Sequence, residues 1–242
     1  MKTLNNNSID AQRIVLVASK FEEFNHLIVK NLDSNEKKIV IVNSEEKFEE
    51  MLEKFKENIE CIFLFHWSRI IRLEILDEYL VIGFHTGNLP DGRGGSPIQN
   101  HILQKNYKTF ICSFKVVAEL DGGPIYQKFP IDLSMGSIYE IVQMNTIVCS
   151  KMASELLKKP IVPLLQVNSD KNILFKRLSQ KDSQIPLELP ELVDLHDRIR
   201  MVDGLDYPKS YLEYGNFRIE FKDSILNHDS LSAQVTIRRK DE

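Results

Sequence analysis

The chain of 242 residues carries 31 Lys and Arg against 35 Asp and Glu, a net charge of −4, with 43% hydrophobic and 27% charged residues. This balance fits a folded protein of one large domain, or one with a small appendage, and excludes a disordered chain. Wholly apolar runs end at about five residues, as in Cys61–Phe65, far short of the roughly 18 to 20 that a helical membrane span needs, so no membrane partner is expected.

The first ten residues, Met1–Asp10, are polar and Asn-rich and lack the apolar stretch of a secretory signal, which points to the cytoplasm. Arg13–Ser19, Lys38–Asn43, Cys61–Phe65 and Tyr79–Phe84 are short apolar runs without strict alternation, the pattern of strands buried on both faces. Between them, Phe21–Leu32 and Glu45–Glu57 read as helices, the second with Phe48, Met51, Leu52 and Phe55 at helical spacing. Strand alternating with helix implies an open parallel sheet with ligands outside the carboxyl ends of its strands. Cys61, Cys112 and Cys149 are widely spaced, with no C-x-x-C pair, and suit small core positions better than a disulfide framework or a zinc site.

Farther along, Lys108–Glu119 and Ile125–Ile131 flank the turn signal Asp121-Gly122-Gly123-Pro124 and predict an antiparallel pair. Ser134–Lys158 has the period of a long helix. The polar segment Ser179–Pro190 marks a domain edge, dividing residues 1–180 from a small region, 181–242, with a helix over Glu191–Val202 and alternating strand residues Phe217, Ile219 and Phe221. Those three residues form either a core or a homodimer surface.

The most informative stretch is Gly83–Leu103, in which a strand runs through His85 into a glycine-rich loop and then a helix that Ser96 would cap and Pro97 would open. Arg93 stands where a phosphate loop needs Lys, and Pro97 where a dinucleotide fingerprint needs its third glycine, so neither nucleotide motif is met. His85 falls at the carboxyl end of a parallel strand and Asp121 at the end of another, so the sheet could bring an imidazole and a carboxylate together. With no metal site and no Ser or Cys nucleophile beside them, acyl transfer to an amine suits the pair. His85 would donate to the developing oxyanion and Asp121 would take the amine proton.

Several other residues admit two readings. Trp67 walls the crevice against a flat ring or packs in the core; Arg93 steadies an anionic ligand or pins its own loop. Gln99 and Asn100 read substrate hydroxyls or cap the helix, and Asn88 meets substrate or forms a turn. Arg177, Arg198 and Arg200 touch a diphosphate or lie on a solvated face.

His85 with Leu89-Pro90, Arg93-Gly94, Pro97 and Gln99, followed by Glu119-x-Asp121-x-Gly123-x-Ile125, resembles the formyltransferases that use N10-formyltetrahydrofolate. These include methionyl-tRNA, glycinamide-ribonucleotide and amino-sugar formyltransferases. Ile199–Asp203 with Tyr207-Pro208 is similar to the start of the C-terminal region of the tRNA and sugar members. The resemblance implies a Rossmann-like α/β formyltransferase fold, mostly parallel with an antiparallel part, plus a small C-terminal helix and β-hairpin. It also implies a formyl-folate donor near Trp67, Leu89, Arg93, Gly94 and Gly123, and a catalytic Asn-x-His plus Asp set in which His85 and Asp121 take their places. Gly83 stands where that set has its Asn, leaving the donor to Asn88, a loop N–H or water.

The acidic balance and the short region after the linker argue against nucleic acid as acceptor. The loop and the Ile199–Pro208 segment look closest to bacterial sugar N-formyltransferases. The expected acceptor is therefore a nucleotide-linked amino sugar bound through Asn88, Gln99, Asn100, Arg177 and Arg200, feeding surface polysaccharide synthesis. The alternatives are a methionyl-tRNA formyltransferase-like enzyme, a formyl-folate hydrolase and an inactive folate-binding homologue.

Overall fold

Every residue of β1 (Ile14–Ser19) is buried because the strand has neighbours on both sides. In the computed structural model it runs parallel to β2 (Lys38–Val42) and β3 (Ile59–Phe65), and β3 runs parallel to β4 (Val81–Thr86). The structure describes residues 12–240 apart from 168, 170 and 171; Met1–Asp10, and the expectation placed on it, lies outside them. Helices α1 (Asn25–Asn31), α2 (Glu45–Phe55) and α3 (Leu73–Glu78) connect these strands. At the start of α2 the Ser44 hydroxyl accepts from the Lys47 N–H, and Glu45 and Glu46 lie in the first turn, where the helix dipole favours negative charge. One turn apart, Phe48 and Leu52 join the core cluster of Leu16, Ile62 and Leu64.

After β5 (Arg93–Gly94) and α4 (Pro97–Leu103), β6 (Lys108–Lys115) and β7 (Ile125–Asp132) complete a six-stranded sheet of order β2-β1-β3-β4-β6-β7. Val116 N–H bonds Val81 O while Gly87 N–H bonds Phe110 O, so β6 runs antiparallel to β4. Lys115 opposite Pro124 and Tyr107 opposite Leu133 make β6 and β7 antiparallel too, as the turn at Asp121 implies. Helix α5 (Ile138–Lys158) starts four residues later than its periodicity suggested, where Ser137 and Glu140 bond each other's backbone and side chain.

The short β8 (Leu174–Phe175) pairs parallel with β5. Helix α6 (Leu192–Arg200) leads to an antiparallel sheet of β9 (Ser210–Tyr214), β10 (Phe217–Leu226) and β11 (Leu231–Arg239), one strand more than the expected hairpin. The architecture is α/β, with a mixed, mostly parallel sheet and a small C-terminal β region.

The chain forms two compact units. One takes the described residues up to Phe84, Ser113–Gln127 and Thr146–Leu165; the other takes His85–Cys112, Lys128–Asn145 and the described residues from Gln166 onward. Among the described residues no helix is long and apolar enough to cross a membrane.

Candidate active site

The loop after β4 is held from several directions, all within the second unit. His85 is 6% exposed, and its Nε2 lies 2.7 Å from the Gly92 carbonyl. A carbonyl only accepts, so Nε2 carries the proton in this contact. The Leu89-Pro90 peptide is cis. Lys128 Nζ donates to both Asn88 Oδ1 and Leu89 O at 2.7 Å, and Cys112 Sγ donates to Gly87 O. Gly92 N–H and Gly95 N–H bond Ile173 O and Phe175 O, extending the pairing of β5 with β8.

Gly94 sits at φ +110, and a Cβ there would stand 2.2 Å from Phe175 O. Only glycine lets the two backbones come this close. Ser96 occupies the cap position before α4 in the left-handed region without capping the helix, because its hydroxyl accepts from Leu178 N–H instead. Pro97 opens the helix as expected.

The structure places the remaining candidates as follows. Arg93 Nε and Nη2 both donate to Gln166 Oε1, at 3.1 and 2.6 Å, a partner that no sequence signal marked. Asn100 Nδ2 bonds the carbonyls of Gly95, Ser96 and Lys176, so it ties the loop to the chain beyond β8 rather than reading a hydroxyl. Leu89 is wholly buried and acts as a core anchor of the loop, not as an open ligand contact. Arg177 is exposed.

Arg200 corrects the expectation of a diphosphate contact. It is 3% exposed, with Nε 2.6 Å from Asp197 Oδ1 and its two terminal nitrogens on Gly136 O and Leu133 O. Tyr107 donates to the second Asp197 oxygen. The arginine fixes α6 and has no donor group turned to solvent. Gln99 is likewise buried, at 3% exposure, and lines a recess of its own unit.

Behind the loop, His101 accepts from Asn106 Nδ2 at Nδ1 and meets Phe175 edge-on at 4.9 Å. Burial, with the neighbouring His85 charge second, pushes its imidazole down to about 4.

Asp121, Gly123 and Trp67 belong to the first unit. Asp121 has φ +49 in the turn, and a Cβ on Gly123 would collide with Lys115 O at 1.7 Å. Trp67 packs on Phe48, ring centroids 5.8 Å apart, against the α2 core cluster, so core packing is the reading its contacts favour. At Gly83 an added Cβ would lie 2.9 Å from Phe114 Cζ and 3.2 Å from Val116 Cγ2. The space that a side chain at that position would enter is filled by the Phe114 ring.

A family model described as the C-terminal domain of methionyl-tRNA formyltransferase matches residues 180–238. A solved methionyl-tRNA formyltransferase from Clostridium thermocellum is 33% identical, with a TM-score of 0.86 over 94% of this chain and all of that one. The chain belongs to the formyltransferase family. A methionyl-tRNA formyltransferase of Sulfurovum sp. is 29% identical over 164 residues, 66% of this chain and 52% of that protein. The chain spans about half the length of the curated relatives it matches. A 4-N formyltransferase from Francisella tularensis, 16% identical with a TM-score of 0.62 over 84% of this chain and 93% of that one, shares the fold.

These likenesses overturn the amino-sugar acceptor, its link to polysaccharide synthesis, the nucleotide-sugar partner and the exclusion of nucleic acid. The relatives matched by sequence act, by their names, on methionyl-tRNA. The −4 net charge misled because a whole-chain sum carries no information about the local field that meets a phosphate backbone.

Proposed function

We propose that this formyltransferase moves a formyl group from N10-formyltetrahydrofolate to the amino group of methionyl-tRNA. The observation that carries the reading is the 33% identity to the Clostridium thermocellum methionyl-tRNA formyltransferase over 94% of this chain. In the transfer, the carbon–N10 bond of the donor breaks, a carbon–nitrogen bond to the amine forms, and the amine proton ends on N10. His85 serves as donor to the formyl oxygen. Asp121 takes the proton from the attacking amine. The pairing rests on the sequence pattern around each residue.

In this reading residues 1–180 are the catalytic region and residues 181–242 the appended region, a division supported by the family-model match over residues 180–238. Gly94 and Gly123 let backbones approach closely, and Arg93 steadies the loop beside the donor. Incubation with N10-formyltetrahydrofolate and methionyl initiator tRNA should give formylmethionyl-tRNA. Formate released without transfer would replace the reading with a hydrolase, and folate binding without turnover would replace it with a binding protein.

A further inference from the structure

The C-terminal sheet has the order β11-β10-β9, so among the described residues β11 has a strand neighbour on one side only. Its pairing with β10 fixes which backbone groups face outward. Lys240 N–H bonds Asn216 O beyond one end of the pair, and Asn227 N–H bonds Ser230 O beyond the other. In an antiparallel ladder alternate residues bond the neighbour, so Ser232, Gln234, Thr236 and Arg238 face β10. The N–H and C=O groups of Leu231, Ala233, Val235, Ile237 and Arg239 point to the open edge.

Natural sheets protect such an edge with lysine, proline, a bulge or short length. Strand β11 uses none of these: it is nine residues long, and Leu231–Ile237 holds no charge and no proline. The extra residue in this pair lies in β10, between Lys222 and Ile225. Val235 stands opposite Phe221 and Ile237 opposite Ile219, so the outward-bonding residues of β11 share the apolar face of β10. Val235 and Ile237 are 49% and 62% exposed. Arg238 and Lys240 are taken by Glu220 and Glu213, whereas Arg239 and the exposed turn residue Asp229 form no ion pair among the described residues.

We propose that β11 pairs with β11 of a second copy of this chain, antiparallel about a two-fold axis at Gln234, joining two three-stranded sheets into one. In that register Leu231 lies opposite Ile237 and Ala233 opposite Val235, and Arg239 reaches Asp229 of the second copy. The axis repeats every contact, so each attractive pair counts twice. Sliding the strands by two residues keeps the bonding groups in phase but sets Leu231 opposite Arg239, or Ile237 opposite Asp229, and loses the charge match. A second copy fits better than an unrelated strand because this edge complements itself, apolar to apolar and cation to anion. The pairing involves only this sheet and does not depend on the acceptor proposed above.

The test is sedimentation velocity on the full chain over a dilution series, which should show a dimer at about 100 μM. Val235→Pro removes an outward N–H and no bond to β10, so it should raise the dimer dissociation constant about tenfold or more while far-ultraviolet circular dichroism is retained. Val235→Lys, which sets two like cations diagonally across the axis, should do the same and carries the comparison if Val235→Pro does not fold. Arg239→Glu should weaken the dimer about tenfold by facing Asp229, and adding Asp229→Arg should restore the parental value. A monomer at every concentration, a dimer undiminished by a folded Val235 variant, or a charge reversal that the second substitution does not repair would each overturn the proposal.

Discussion

Gly83 shows how one residue can be chemically informative and sterically committed at once. The sequence flagged it because a side chain that polarises a carbonyl would be expected two positions before His85. The structure supplies the physical counterpart, since Phe114 occupies the space such a side chain would take. Gly83→Asn should therefore lower stability by about 1–3 kcal/mol through overpacking, read by urea denaturation, and should not raise activity. Replacing Phe114 by Leu in the same chain should recover part of that loss, and no recovery would mean that the ring is not the obstacle. Gly94→Ala tests a second position. With φ +110 and Phe175 O at 2.2 Å from the added carbon, it should cost about 1–3 kcal/mol and loosen the loop that holds His85. A variant as stable as the parent would contradict the close pairing of β5 with β8.

Elements with a strong apolar signature were legible from the sequence, and those shaped by distant partners were not. The runs in β1, β3 and β4 are largely buried on both faces and so announce themselves, whereas β2, expected to be buried in the same way, is the edge strand and is fully buried only at Val42. Helix α3 was missed because its six residues, LEILDE, are too few to display a period. Ser96 has the composition of a helix cap, yet its hydroxyl is taken by Leu178, a partner 82 residues away. Arg200 reads as a surface cation until Asp197 and two carbonyls are seen around it.

Arg200→Leu would leave Asp197 buried without its counter-charge and should destabilise the protein by about 3–5 kcal/mol, measured by urea unfolding. A loss well below 1 kcal/mol would mean that α6 is anchored otherwise. Two histidines, His101 buried and His66 half-buried, give a pH dependence of definite sign. Burial, and then the Lys20 charge, lowers His66 from 6.5 to about 4, and burial with His85 lowers His101 by a similar amount. The unfolded chain binds these protons first, so the stability contribution is intact above pH 6.5 and is lost as pH falls toward 4. Urea midpoints measured across that window should fall less in the double variant His66→Gln, His101→Gln; an unchanged slope would show that neither imidazole is held neutral.

For the molecule as a whole, fold and family followed from motifs that recur at fixed places along the chain, whereas the acceptor did not. Net charge averages over both units, so a sum of −4 does not fix the sign of the field at any one face. If methionyl-tRNA is the acceptor, its affinity should drop steeply between 50 and 200 mM salt, with a log–log slope that counts the phosphates neutralised. A salt-independent affinity would argue against contact with the tRNA backbone.

The account stands most directly on a single-turnover measurement of labelled formyl transfer from N10-formyltetrahydrofolate to methionyl initiator tRNA, run beside His85→Ala and Asp121→Asn. It predicts label on the methionyl nitrogen with the parent protein and rates lower by roughly 10²-fold or more in each folded variant. Transfer at the parental rate in either variant, or label recovered only as formate, would contradict it.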